Sequence, residues 1–339
     1  MLKTQAFDGS ILTLKQCKSK KNKEKLLGEK MKNKIWIITF SVWMLSLIAL
    51  ADKSQKFELT KEWEQTIQKL APANPTVKPL KKHKILVFSL ATGYKHWVIP
   101  HTSAMLKILG EKSGAFDVVV TTNIMMFKAD ALKEFDAIVL NNTCPKSPRR
   151  NIFLDVLGDG AENEKIAKTL EENILNFVKE GRGLIVLHGG ITMQNNSPEF
   201  SKMVGGSFDF HPSLQKVTLT LTDPNHPLLK AFKGKPFIHS DEPYMFKNAY
   251  ADKNFHPLLI LNTDILKYGK NKKQQKKIQS DIRYVAWIKK YGKGRVFFSS
   301  PSHEGHSFEQ PELLQFFLDG IQYALGDLTC DDSPLKKEK

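Results

Sequence analysis

Residues 183–192 read GLIVLHGGIT, an apolar run that ends in a histidine and two glycines. A short, unbroken apolar run of this kind suits a strand buried on both faces, as in a parallel sheet covered by helices. Just before it, residues 163–180 place Ile166, Leu170, Ile174 and Phe177 on one helical face, and Gly181 and Gly183 stop that helix. Further back, ILVFSL (85–90), FDVVVT (116–121) and FDAIVL (135–140) read as strands, with a helical stretch from Thr102 to Lys112 between the first two. Strands alternating with helices predict an α/β fold: a doubly wound, mostly parallel sheet flanked by helices. Such sheets collect ligands outside the carboxyl ends of their strands, so the loops there are the ones to search.

Towards the C-terminus the pattern turns β-rich. KVTLTLT (216–222) alternates, HPLLILN (256–262) is apolar, and Tyr284–Ile288 and Arg295–Ser300 flank a glycine-bearing turn, adding β-hairpin elements. Pro311 opens a closing helix that Gly326 caps. No period of 20–50 residues repeats, which excludes a solenoid or propeller. The expected organisation is a leader over 1–51, a polar linker over 52–82 carrying Pro72, Pro75 and Pro79, one domain over 83–328, and a polar tail over 329–339.

The formal net charge of +16 invites a nucleic-acid reading. Its location argues otherwise. Residues 1–34 hold ten lysines against Asp8, Glu24 and Glu29, and another lysine cluster falls in KYGKNKKQQKKIQ (267–279). The core of that second cluster interleaves no aromatic residue and reads as a solvated loop, so no nucleic-acid partner is expected. The first cluster precedes IWIITFSVWMLSLIALA (35–51), an apolar run that closes on Ala49-Leu50-Ala51. Basic, apolar and small-x-small segments in that order predict a signal peptide, with Met31 as the true start and export to the periplasm or exterior. The alternative is a membrane anchor formed by residues 35–51. Of Cys17, Cys144 and Cys330, the last two follow the leader and could pair in an oxidising compartment.

The turn VLHGGIT exposes its corner residue as a nucleophile elbow does, but that residue is His188 rather than serine or cysteine. Gly189 and Gly190 bring backbone N–H groups close to whatever His188 faces. Four stretches in order, LIVLHGG, VGGSFDFHP (204–212), SDEPY (240–244) and YGKGRVFFSSPSH (291–303), together with the closing helix, resemble the ThuA-like (trehalose utilisation) family over roughly Lys84 to Gly326. The resemblance implies a class I glutamine amidotransferase-like fold without that class's catalytic Cys-His pair, so glutamine amidotransfer is not expected. His188 stands at or beside the position of the missing cysteine. The resemblance also implies a role in sugar metabolism, on disaccharides or keto-sugars.

It directs attention to further residues, each near a strand end. His96 lies in TGYKHW after the first strand, and His211 is held extended by Pro212. Asp241 and Glu242 are neighbours, so on a strand only one need face a pocket, and Glu242 is the choice for acid or base. His303 and Glu304 end RVFFSS through Pro301-Ser302, and His239 would share a face with Asp241. Tyr94, Trp97 and Tyr244 could stack on sugar rings. His306, His226 and His256 read as surface or turn residues.

The expected function is an exported carbohydrate-processing enzyme. His188, His303 and Glu242 exchange protons, and His96, His211, Asp241, Tyr244, Gly189 and Gly190 bind substrate. Isomerase, lyase and hydrolase chemistry all use such a set, and none requires a cofactor. Three alternatives stay open: a divalent metal held by His96, His188, His303 and an acid; a non-catalytic sugar-binding protein; and a thiol hydrolase using Cys144. No second protein is implied, and the oligomeric state is open.

Overall fold

The computed structural model describes residues 56–267, Ile278 and 282–335. The expected leader, Cys17 and most of the lysine-rich loop lie outside the described residues. Among those described, no helix is long and apolar enough to cross a membrane. The described residues fall in one compact unit.

The strands are β1 (His83–Phe88), β2 (Phe116–Thr121), β3 (Ala137–Asn141), β4 (Gly183–Leu187), β5 (Ser207–Phe210), β6 (Gln215–Leu221), β7 (Phe237–Asp241), β8 (Met245–Lys247), β9 (His256–Leu261), β10 (Arg283–Tyr291) and β11 (Gly294–Ser299). Nine of them form one sheet in the order β2-β1-β3-β4-β11-β10-β9-β6-β7, and β5 pairs with β8 separately. From β2 to β11 every pairing is parallel, and from β11 to β7 every pairing is antiparallel. The fold is thus mixed α/β. The parallel half is the part whose strands read as continuous apolar runs.

Burial on both faces explains those runs. On β11 the Phe297 ring packs on Phe316 of the helix Pro311–Leu325, while its neighbour Phe298 points the other way onto Trp287 and Phe246. The helices approach this sheet closely at glycines. A Cβ on Gly320 would stand 2.3 Å from Phe297, and one on Gly183 2.6 Å from the Ala324 carbonyl oxygen. The helix Ala161–Lys179 buries Leu170, Ile174 and Phe177, as their spacing predicts.

Residues 60–80 pack on the domain. Thr60 caps the helix Lys61–Leu70 by accepting from the Trp63 N–H at 3.2 Å, and Trp63 and Ile67 are buried. The Thr76 and Val77 N–H groups donate to Gln322 Oε1 at 2.8 and 3.3 Å, and Gln322 Nε2 donates to the Val77 carbonyl at 2.7 Å. The Thr76 hydroxyl donates to Asp319.

Strand order places the switch of direction between β1 and β3. The chain leaves β1 outward to β2 and returns to β3 on the other side. A crevice forms where the loops at such strand ends diverge.

Candidate functional site

A cleft of about 290 Å³ opens at that switch, lined by Tyr94 and His96 from the loop after β1 and by Cys144 and Arg150 from the loop after β3. Phe208, His211, Glu242 and Tyr244 close its other side. Below it, β4 leads directly into His188 and β11 leads into His303. Four chain segments distant in sequence therefore deliver His96, His188, Glu242 and His303 to one place, with ligand atoms all within 4.8 Å of one another. Among the described residues these four are the group able to hold a metal ion.

Each ring is fixed from behind. His188 takes a left-handed φ of +43°, a conformation uncommon for a residue with a Cβ. Its Nδ1 donates to the Ser300 carbonyl at 2.8 Å. His303 Nδ1 meets Glu304 Oε1 at 2.7 Å, and His96 Nδ1 lies 3.6 Å from Cys144 Sγ. The ring centres stand 5.0 to 5.2 Å apart. In front, the Nε2 atoms of His96, His188 and His303 are buried and make no hydrogen bond. Glu242 Oε2 lies 3.5 Å from His188 Nε2, and its Oε1 3.5 Å from His303 Nε2.

Burial pushes His188 down to about 4, only partly offset by Glu242, and holds His96 well below the ordinary imidazole value. Burial opposes charge on Glu242 too, but the surrounding His188, His303 and His211 rings win and hold its carboxyl at about 2. At neutral pH the floor of the cleft is one carboxylate beside uncharged His96 and His188.

Several of the expected site residues lie behind the cleft wall. Asp241 is buried beneath the cleft, where its Oδ1 accepts the Glu242 N–H at 2.8 Å, and it does not line the cleft. The alternation of neighbouring strand residues is the cause. Burial also holds Asp241 well above the usual carboxylate range. The Gly189 N–H is engaged by Asn142 Oδ1 at 3.3 Å. A Cβ there would come 2.6 Å from Cys144 Sγ, so this glycine serves close packing, as does Gly190 against the Leu140 carbonyl oxygen at 2.3 Å. His188 and His303 are fully or almost fully buried, one layer behind Glu242. His211 faces the cleft, with Nε2 3.6 Å from Glu242 Oε2 and its ring stacked on Tyr244. Tyr244 is itself buried, its ring 4.0 Å from that of His188.

His239 is buried with Nδ1 3.0 Å from Ser307 Oγ, and burial pushes it down to about 3. Trp97 packs against Phe57 and His101. Cys144 and Cys330 are free thiols, and burial pushes Cys144 up to about 11, which works against a thiolate nucleophile. Arg150, 5.3 Å over the Phe208 ring, went unnoticed in the sequence, as did the Ser300 carbonyl behind His188. The dipeptide His303-Glu304 was the one available signal for a ring held by its own neighbour.

A family model described as trehalose utilisation, ThuA, matches residues 84–324. A solved ThuA-like protein of Bacteroides uniformis is similar in fold, with TM-score 0.54 and 17% identity, covering 75% of this chain and 93% of that one. Another from Parabacteroides merdae gives TM-score 0.52 at 17% identity, covering 75% of this chain and 98% of that one. No curated protein sequence matches the chain.

Proposed function

The chain belongs to the ThuA family of trehalose utilisation, and on that premise we propose that it is an exported carbohydrate-processing enzyme acting on a disaccharide or keto-sugar. The observation that carries the reading is the Glu242 carboxylate on the cleft floor, with His188 and His303 each 3.5 Å behind it. A charged carboxylate held against buried rings is a centre for moving protons at a hydroxyl or carbonyl group. His211 is the half-exposed imidazole beside it, placed to give or take the second proton. Tyr94, half-exposed at the rim, and Phe208 offer ring faces to a sugar. A floor of titratable groups under those rings favours chemistry over simple binding. The basic–apolar–small order of residues 31–51 supports export.

The test is a panel of trehalose, other disaccharides, their keto derivatives and free monosaccharides, with products followed by NMR. Conversion of one member, abolished in Glu242→Gln, is the expected result. Binding without conversion, unaltered in Glu242→Gln, would replace the enzyme by a sugar-binding module.

A further inference from the structure

Three buried rings and a carboxylate face one point at the cleft floor, and the rings lack partners on the facing side. We propose that His96, His188, His303 and Glu242 bind one divalent transition-metal ion, zinc foremost.

The protons carry the argument. The Ser300 carbonyl can only accept, so His188 holds its proton on Nδ1, and the Glu304 carboxylate demands the same of His303. In that tautomer each ring turns its Nε2 lone pair towards a Glu242 oxygen at 3.5 Å. Lone pair against lone pair in a buried place is costly unless a positive centre lies between them. A cation meets all of these atoms at once.

Geometry agrees. An ion ~2.0–2.1 Å from three Nε2 atoms at tetrahedral angles sets the ring centres about 5 Å apart. The observed separations are 5.1, 5.2 and 5.0 Å. Three nitrogens and one oxygen suit zinc and its neighbours, whereas calcium and magnesium require oxygen cages. Each ring also has its Nδ1 held from behind, by a carbonyl, a carboxylate or a thiol, the arrangement that orients ligating histidines. His96 and Glu242 both line the cleft, so the ion would meet a sugar oxygen on their side. It would take over the polarising role of the floor, leaving His211 for proton transfer.

This inference rests on the reading of the floor as the functional centre, yet its test needs no sugar. The chain is stripped with a chelator, loaded with zinc or cobalt, desalted and assayed by plasma mass spectrometry and, for cobalt, by visible absorption. Expected are about one ion per chain and cobalt bands of a low-coordinate nitrogen–oxygen site. His303→Gln and Glu242→Gln, checked for folding by circular dichroism, should each lose at least ~10-fold in affinity. Glu304→Gln, which touches only the support of His303, should lose ~10- to 100-fold. His306→Ala, an exposed imidazole elsewhere, should bind as the parent does. Should a ligand variant unfold, Glu304→Gln and chelator competition on the parent chain decide. A folded parent that retains no transition metal, or variants that load equally well, would overturn the proposal. Sugar turnover by an ion-free chain would also overturn it while leaving the enzyme reading intact. An ion-bound chain that alters no sugar would do the reverse.

Discussion

Two buried polar regions lie at opposite ends of the parallel strands, and they are built on contrary rules. At the amino ends, Gln322 satisfies the N–H groups of Thr76 and Val77 and the Val77 carbonyl, while Asp319 takes bonds from Thr76 and Gln315. At the carboxyl ends, three imidazoles leave Nε2 unpaired around one carboxylate. Paired polar groups hold a fold, and unpaired ones are kept where something else must bind. The contrast is open to attack from both sides.

The largest effect should come from the unpaired end. Glu242→Gln removes the charge but keeps the shape, so turnover should fall ~100- to 10,000-fold. The isosteric amide keeps the packing of the cleft floor, so the loss of turnover should far exceed any change in melting temperature. A matched loss of turnover and stability would erase the distinction between the two regions.

Gln322→Ala should do the opposite. It strands two N–H groups and a carbonyl, each costing ~1–3 kcal/mol if left unpaired. A destabilisation of about 3 kcal/mol in urea unfolding, with the proposed activity of the remaining folded protein unchanged, is the expected result. A value below about 0.5 kcal/mol would mean that water replaces these bonds freely.

Asp319 sharpens the comparison through pH. Burial raises its folded pKa to about 6 from the ordinary 3.8, against the opposing bonds from Thr76 and Gln315. A raised folded value favours the protonated native state, so this contribution is complete below about 4 and is lost as pH climbs through about 6. Stability should drop by about 2 kcal/mol between pH 4 and pH 7 on this account. Asp319→Asn should flatten that part of the profile, and an unaltered slope would refute the assignment.

The smallest effect belongs to neither region. His306 pairs with Glu309 in the open at 3.1 Å, and His306→Ala should change stability by less than ~0.5 kcal/mol and turnover not at all.

What the sequence made legible follows the same physics. β1, β3, β4 and β11 are buried on both faces, so their residues carry continuous apolar signals. β5, β7 and β8 went unread because SFDF, FIHSD and MFK are short, mix polar with apolar residues, and gain their meaning only from distant partners. Strand ends revealed His188 and His303, since the sheet rule places ligands there. That both rings would be buried behind Glu242 was invisible, because it depends on distant segments packing there, such as Tyr244 over the His188 ring. Strand alternation already separated Glu242 from Asp241, but that Asp241 would lie buried as the acceptor of the Glu242 N–H was not legible, because β7 takes its place only by pairing with β6.

The left-handed corner at the end of β4 carries an evolutionary consequence. His188 and, beside it on the neighbouring strand end, Asn142 both sit at positive φ, +43° and +53°. Asparagine bears that conformation well, and valine, isoleucine and threonine do not. At position 188 the backbone therefore screens substitutions before chemistry does. The routes open to a drifting sequence lead through asparagine, aspartate or glycine, so a descendant that abandoned the histidine would be expected to carry one of those three at this corner.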